Sequence, residues 1–484
     1  MKHLSLPPLA ALLLAGCSMT PAYVRPATVA IPPSFKEAPG WVSATPSDAV
    51  ARGDWWDLFG DPALDQLEHK VAVTNQNVAA ARAAYEAARA LVAVQRAQLF
   101  PTLTASASAT HTGGFSGGPA TDLGTGGTNG SSGTATTGSR FALSIGASWE
   151  PDLWGRIGNG VSQARANAQA SAGDLANATL SAQGELAADY VQLRGIDAQR
   201  DLLDGTIADY RRALTITRNK YAAGTVARSD VFQAQTSLDN ALATRQDLDR
   251  QRALLEHAVA VLAGENPSAF AIQPAAWKPV IPTVPGVLPS TLLERRPDIA
   301  AAERRVAAAN ANIGIQRAAY FPQLALSGNA GTNGSALAQL FSAGTSLWSF
   351  GLSGLLTLLD FGARHGQVLQ ARAQFDQAVA AYRQTVLAAF QQVEDNLAAT
   401  RILVGVTGSR IAAADAAASA EKIVDNQYRS GIVDYSQVIV AQTAALSARQ
   451  TQIQAVVDQQ TAAIALVQAI GGTWWNANMS KTLD

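Results

Sequence analysis

The chain has 484 residues and a formal net charge of −1, and only 15% of its residues are charged. The lack of a basic excess argues against nucleic acid as a partner, and the five histidines are scattered without a spacing typical of metal ligands. Hydrophobic residues make up 48% of the chain, but many are alanine, which favours closely packed helices over a thick globular core.

The N-terminus predicts export from the cytoplasm. Lys2 precedes a short apolar stretch that ends in Leu-Ala-Gly-Cys at Cys17, and this order is typical of a secretory signal peptide, residues 1–16. Leu-Ala-Gly-Cys resembles a bacterial lipobox, which would make Cys17 the lipid-carrying first residue of the mature chain. The alternative is an incidental thiol in a discarded leader. No later segment offers about 20 consecutive apolar residues, so we predict no membrane-spanning helix.

Residues 17–53 are rich in proline and lack periodicity, which predicts an extended tether. The folded part starts at residue 54. Asp61 before Pro62 is typical of a helix start, and Pro101 disfavours helix at the residue before it. We therefore predict one helix from Pro62 to about Leu99.

Two runs of alternating apolar and polar residues follow, from Leu103 to Thr110 and from Phe141 to Trp149. This period of two predicts the strands of a β-hairpin. Residues 112–138 between the runs are rich in Gly, Ser and Thr, which indicates a flexible loop at the far end of the hairpin.

A long helix is predicted from about Ile157 to Arg218, because no proline interrupts this stretch and apolar residues recur at heptad spacing. Gly224 permits a reversal, and a second helix returns from about Ser229 to Ala263. Helices of this length need packing partners. The predicted apolar seam of the long helix consists of Leu186, Leu193, Ile196, Leu203, Ile207, Tyr210 and Leu214.

The second half repeats this plan. Tyr221 and Gly224 return as Tyr428 and Gly431, each 207 positions later, which indicates duplication of a whole structural unit. We therefore divide the chain into a signal peptide (1–16), a tether (17–53), a first repeat (54–264), a proline-rich linker (265–292), a second repeat (293–472) and a C-terminal tail (473–484).

Within the second repeat a helix is predicted to start near Pro297 and to end at Phe321-Pro322. Leu324 and Leu326 begin one predicted strand, and strand-like alternation from Trp348 to Leu358 predicts another. A long helix follows from about Gly362 to Asn426, and the return helix reaches Ile470. The predicted seam of this long helix consists of Val386, Phe390, Val393, Leu397, Val404 and Ile411.

Four strands per chain are too few for a barrel with a usable lumen, which needs about eight. An open sheet would leave unpaired backbone edges, which a bilayer does not tolerate. If the strands span a membrane, several chains must share one barrel. The alternative is a soluble helical bundle with a small sheet as a cap.

Several motifs resemble one known family. The opening of the folded part resembles that of TolC-type outer-membrane efflux proteins, and the arginine-rich stretch before Pro297 looks like the lipoprotein branch of that family, the NodT-like and OprM-like channels. The resemblance covers essentially the whole mature chain. It rests on Trp55-Trp56, Phe59, Asp61-Pro62, Leu64, Leu67, Leu293 to Ile299, Glu303, Ala319 to Pro322 and the two motifs that begin at Tyr221 and Tyr428.

The resemblance implies a mainly α protein with a small β part. Three chains would share a transmembrane barrel of twelve strands, and their long antiparallel helices would form a periplasmic α-barrel. Such a homotrimer, lipid-anchored in the outer membrane, is a passive exit duct for drugs or other toxic compounds in a tripartite efflux system. Its partners are a periplasmic adaptor, an inner-membrane pump and outer-membrane lipid, and no cofactor is implied.

The helical turns are the functional ends that the resemblance implies. The residues expected to contact the adaptor are Arg218, Tyr221, Gly224, Arg228, Asp230, Gln235, Tyr428, Arg429, Gly431 and Gln442. The alternative is that they only cap and pack two hairpins. Relatives often carry an aspartate two residues before the second glutamine, where this chain has Val440. An apolar ring of Val440, or closure by Asp434 and Arg429, is therefore expected in place of a charged gate at the level of Val440.

Two other classes of protein were considered. An enzyme is disfavoured, because no acid–nucleophile pattern accompanies the histidines and the Gly-rich stretch lacks the Lys-Ser/Thr of a phosphate loop. A lipid-anchored periplasmic coiled-coil scaffold or adaptor without a pore is the second alternative. It would need one helical hairpin flanked by β-rich domains, whereas this chain predicts two hairpins and four membrane-type strands.

Overall fold

A computed structural model describes residues 19–26, 54–113, 138–282 and 296–472. The predicted signal peptide, Cys17, most of the tether, most of the 112–138 loop and the tail after residue 472 lie outside the described residues. What is described is mainly α-helical with one small sheet, as predicted.

The α-helices of the described ranges are α1 (Pro62–Thr74), α2 (Gln76–Ala97), α3 (Arg156–Ala222), α4 (Arg228–Leu262), α5 (Pro297–Ala318), α6 (Ala363–Arg429) and α7 (Tyr435–Ala469). The strands are β1 (Thr102–Thr112), β2 (Gly138–Trp149), β3 (Gln323–Gly334) and β4 (Ser346–Leu355). Short 3-10 helices occur at Trp55–Phe59, Leu337–Phe341 and Ala343–Thr345.

The described residues group into two compact units. The sheet unit lies within Met1–Arg25, Ala88–Ala168 and Arg305–Ala378. The hairpin unit lies within Pro26–Ala87, Gln169–Arg304 and Val379–Asp484. Because the helical turns and both predicted seams fall in the hairpin unit, the candidate site is contained in that unit.

The four strands form one antiparallel sheet in the order β1-β2-β3-β4. Ala105 is paired with Ile145, Ile145 with Ala330 and Ala330 with Trp348, so these four side chains form an apolar row on one face. The neighbouring row, Thr104, Gly146, Asn329 and Ser349, lies on the opposite face and is polar. The apolar face is exposed, since Trp348 is 83% and Phe350 70% accessible. Strand β4 ends at Leu355, earlier than the predicted Leu358.

The two long helical hairpins, α3–α4 and α6–α7, have equal dimensions. Helices α3 and α6 each contain 67 residues, and α4 and α7 each contain 35. Every bound of the second hairpin lies 207 positions after the matching bound of the first. The offset seen in single residues therefore extends to the ends of whole helices.

The seam predicted for α3 is confirmed, because all seven of its residues are buried. The seam predicted for α6 is wrong in its second half, where Val404 is 61% and Ile411 40% exposed. Thr407 and Ala414 are buried instead, and they continue the heptad series of Val386 and Val393. The packed face of α6 thus changes along the helix from large apolar side chains to small or polar ones. A prediction based on the spacing of apolar residues therefore selected the wrong positions in this half.

The single helix predicted from Pro62 to about Leu99 is also wrong, because it is interrupted at Asn75, whose backbone is extended. The Asn75 Oδ1 accepts hydrogen bonds from the backbone N–H groups of Asn77 and Val78 and so caps α2. Its Nδ2 donates to the carbonyl of Leu262 at 2.7 Å, which ties the break to the end of α4. The helix start is confirmed, since Asp61 accepts from the N–H groups of Ala63 and Leu64.

By length and composition, α6 is apolar enough to cross a membrane, with a mean hydropathy of 1.2 in its most apolar stretch. The search for uninterrupted apolar runs did not find this helix. Core helices of soluble proteins pass the same test, and only 17% of that stretch is buried within the chain.

Candidate functional site at the helical turns

Both hairpins reverse through the same backbone structure. Gly224 and Gly431 have positive φ angles of 69° and 75°, a backbone conformation that residues with a Cβ rarely adopt. The N–H of Gly224 donates to the carbonyl of Tyr221, and the N–H of Thr225 donates to that of Lys220. This pair of bonds is a Schellman motif, and Gly431 has the equivalent pair. The glycines predicted to allow the reversals therefore do so.

A polar chain connects the two helices just above the first turn. The guanidinium of Arg218 donates to the Gln235 Oε1 at 2.8 Å. The Gln235 amide nitrogen in turn donates to both carboxylate oxygens of Asp239 at 3.0 Å. These contacts bring two predicted residues together and add Asp239, which the sequence analysis missed although it lies one helical turn after Gln235.

The remaining predicted residues of the first turn lie at the surface. The Arg228 guanidinium carbon is 5.3 Å from the centre of the Phe232 ring. Tyr221 is 46% exposed. Asp230 lies in the first turn of α4, where the helix dipole stabilises a negative charge. These side chains are available to a partner protein.

The second turn is partly buried by aromatic packing. The rings of Tyr428 and Tyr435 lie 5.4 Å apart, and burial raises the pKa of Tyr435 to about 12, so its hydroxyl stays neutral. Arg429 pairs with Asp425 at 2.7 Å. Asp434 is the N-cap residue of α7, but its side chain makes no cap hydrogen bond.

The two repeated glutamines have different surroundings. Gln235 is bonded on the surface as described, whereas the Gln442 Oε1 is buried and accepts no hydrogen bond within the described residues. Val440, one of the two constriction candidates, is 70% exposed. The two glutamines therefore occupy equivalent positions of the repeat but make different contacts. The roles proposed for these residues stay predictions.

Two grooves of opposite character flank the hairpin ends. The groove beside α3 and α6 has a volume of about 800 Å³, and its lining includes both acids and bases, among them Asp209, Arg212, Glu421 and Arg449. Burial raises the pKa of Glu421, Arg449 opposes this effect, and Asp209 and Asp425 reinforce it. The groove beside α4 and α7, about 640 Å³, is lined by uncharged residues, including Phe232, Thr236, Asn240, Val440 and Thr443.

A buried ionic network in the hairpin unit supports the helices and was missed by the sequence analysis. Asp197 on α3 accepts from Arg252 on α4 at 2.7 Å and lies 3.3 Å from Arg194. The same two arginines donate to the carbonyls of Ile272 and Gln273. The network therefore attaches the segment after α4 to both helices of the first hairpin. Heptad analysis did not find it because it follows apolar residues only.

The described ranges contain no group of three or more His, Cys, Asp or Glu residues arranged to hold a metal ion. The turns present exposed charges, aromatic rings and amides.

Comparison with known proteins agrees with this architecture. The sequence profile of the family described as outer membrane efflux protein matches residues 67–265 and 288–472. The solvent efflux pump outer membrane protein SrpC of Pseudomonas putida is 31% identical over 480 residues, covering 98% of this chain and 99% of the relative. The antibiotic efflux pump outer membrane protein ArpC of Pseudomonas putida is 31% identical over 468 residues, covering 96% and 94%.

Among solved structures, the outer-membrane channel OprN is similar to this chain with a TM-score of 0.79 and 29% sequence identity. The match covers 95% of this chain and 100% of OprN. Family profile, relatives and structure thus agree over nearly the full length.

Proposed function

Because the chain belongs to the outer membrane efflux protein family and is an outer-membrane channel of an efflux system, we propose that three copies form one passive exit duct for small toxic molecules. An inner-membrane pump would deliver these molecules through a periplasmic adaptor. The alternative of a lipid-anchored scaffold without a pore is not favoured, because the family match extends across both strand pairs.

The sheet is the observation that carries this proposal. It has an exposed apolar face suited to lipid and a polar face suited to an aqueous lumen. Within the described residues, β1 and β4 each pair on one side only. Since a bilayer does not tolerate open edges, β4 of one copy would pair with β1 of the next. Three copies would give twelve strands.

We propose that the cargo consists of small, largely apolar compounds. SrpC and ArpC are named for solvent and antibiotic efflux, and both resemble this chain over nearly its whole length. Val440 would form an apolar ring at the constriction, with Asp434 and Arg429 as the polar alternative.

The adaptor would contact the exposed residues around both turns. Arg228, Tyr221 and Arg429 support this proposal, because arginine and aromatic side chains are enriched in protein interfaces and these three lie at the hairpin ends. A buried role in packing fits Tyr428 and Gln442 better. Exchanging Arg228 and Arg429 for glutamate would therefore weaken adaptor binding, whereas the same exchange at the exposed Arg212 serves as a control on the flank of the helices.

Lipidation at Cys17 would anchor the chain to the outer membrane from the periplasmic side. Cys17→Ala is expected to abolish labelling by a fatty-acid probe, with the barrel still inserted. Labelling that persists in this variant would contradict the lipobox interpretation.

The channel itself is tested by reconstitution. Purified full-length protein in a planar bilayer is expected to show conductance steps, and deletion of its gene is expected to raise accumulation of an apolar dye or antibiotic in cells. Complementation by Cys17→Ala would show that the duct works without its lipid. A protein that stays monomeric and gives no conductance would contradict the proposal.

A further inference from the structure

Glu68 on α1 is a buried carboxylic acid without a partner. Its side chain is 0% exposed, and neither carboxyl oxygen accepts a hydrogen bond from any described residue. Buried ionisable groups are normally paired, because leaving water without compensation costs several kcal/mol. The channel function proposed above makes no use of this acid.

Glu68 lines a cavity within the hairpin unit, which we call the Glu68 cavity. Its volume is about 390 Å³, within the range of small-molecule sites. Trp55, Trp56 and His69 contribute aromatic rings, and Asp54 contributes a second carboxylate. The part of the wall that α3 provides is neutral and consists of Ala176, Thr179, Leu180 and Gln183.

The aromatic rings of the cavity stand nearly perpendicular to one another. The ring centres of Trp55 and Trp56 lie 5.8 Å apart with an angle of 75° between their planes. Trp56 and His69 lie 5.5 Å apart at 89°. This is the edge-to-face packing usual for aromatic pairs. Aromatic rings beside a carboxylate suit organic ammonium ions, since ring faces and a carboxylate both attract a cation.

A second unpartnered group adds to this chemistry. The Trp55 Nε1–H is buried and donates to no described residue. It therefore offers a hydrogen bond to an oxygen atom of a ligand. A ligand that combines a positive charge with a hydroxyl group would satisfy both Glu68 and Trp55.

We propose that the Glu68 cavity binds a small organic ammonium ion that carries a hydroxyl group, with the Glu68 carboxylate as its counter-ion and the Trp55 indole N–H as the donor to its oxygen. A bare metal ion fits less well, because Asp54, Glu68 and His69 line the cavity but, among the described residues, are not arranged as a group that could hold a metal ion.

Binding of such an ion is coupled to a proton. Burial raises the pKa of Glu68 to about 9, so the empty cavity holds the protonated acid at neutral pH. A cation that pairs with the carboxylate must displace that proton. The other titratable groups that line the cavity are Asp54 and His69, and His69 is paired with Asp65 at 3.2 Å. Affinity is therefore expected to rise about tenfold per pH unit below pH 9.

The test uses choline, whose quaternary nitrogen does not titrate, and the purified full-length protein in detergent. Calorimetric titrations are run at half-unit steps between pH 7 and 9. The neutral choline isostere with carbon in place of nitrogen is the matched ligand control. Glu68→Gln keeps the side-chain shape without the charge, and Glu86→Gln removes an exposed carboxylate of the same unit.

Choline binding that strengthens about tenfold per pH unit, is lost in Glu68→Gln and is retained in Glu86→Gln supports the site. Trp55→Phe is expected to weaken choline binding several-fold more than that of tetramethylammonium, because only choline carries the oxygen that the indole N–H would bind. Equal binding of the neutral isostere, pH-independent binding, retention in Glu68→Gln, or no binding at any pH would each overturn the proposal. None of these outcomes depends on whether the protein conducts cargo.

Discussion

Lys220 and Tyr428 join the two helical hairpins, because the Lys220 Nζ lies 4.1 Å from the centre of the Tyr428 ring. Lys220 lies in the last turn of α3, and Tyr428 is the penultimate residue of α6. This cation–π contact lies beside the turns at which the adaptor is proposed to bind.

Removing this contact is expected to loosen one hairpin from the other. Lys220→Met and Tyr428→Leu, measured singly and together in a double-mutant cycle of thermal unfolding, should give a coupling free energy of about 0.5–1 kcal/mol. Lys220→Arg should preserve most of it. Strictly additive single effects would show that the contact contributes nothing.

Replacing Gly224 in the turn and Gly205 within α3 by alanine is expected to change the stability of the protein in opposite directions. Gly224→Ala should destabilise the protein by about 1–2 kcal/mol, because a Cβ disfavours its φ of 69°. Gly205→Ala should stabilise it by about 0.5–1 kcal/mol, because Gly205 is within the helix and faces open space. Denaturation of both variants measures this, and effects of the same sign would contradict the argument.

Close packing of α3 on α7 depends on Gly195. A Cβ at this position would overlap the Val457 Cγ2, so Gly195→Ala should cost about 1–3 kcal/mol. Val457→Ala in the same chain should restore part of that loss, because it removes the clashing methyl group. Trimer yield and thermal midpoint are the measurements, and a double variant no better than Gly195→Ala would refute the close approach.

The buried network predicts a large effect at Asp197. Asp197→Asn removes the carboxylate that Arg194 and Arg252 share, and among the described acidic residues Arg252 then keeps only Glu256, at 3.2 Å. Because Asp197 is only 3% exposed, the expected loss is about 3–5 kcal/mol. The exposed pair of Asp209 and Arg212 is the control. Asp209→Asn should change stability by less than about 0.5 kcal/mol. Similar losses in both variants would argue against the network.

Stability should depend on pH through Glu68. Its pKa is raised by burial from an ordinary value of 4.5 to about 9, so folding favours the protonated form, and its contribution is fully present below pH 4.5 and is lost as pH rises towards 9. Glu68→Gln should therefore match the wild type at pH 4 and exceed it by about 3 kcal/mol at pH 7. Thermal scans across this range, without added cations, test the sign. A variant less stable than the wild type at pH 7 would contradict it.

Local features were predictable from the sequence because their causes lie within a few residues. The helix start at Asp61 depends on one side chain and the two N–H groups after it, and the reversals at Gly224 and Gly431 depend on single φ angles. The α3 seam followed from heptad spacing, and the alternation of the strands placed apolar and polar side chains on opposite faces.

Features that join distant parts of the chain were not predictable. The break at Asn75 depends on the contact of its side chain with the end of α4. The face of α6 that packs within the chain carries Thr407, which donates to the carbonyl of Ala455, and Ala414, in place of the expected Val404 and Ile411. Glu68 looked like an ordinary helix residue. Periodicity and helix propensity are local properties of the sequence, whereas the neighbour that a side chain contacts is decided by folding. The sequence by itself therefore determined the types of element, the repeat and the family. The tertiary structure alone revealed the buried ionic network and the Glu68 cavity.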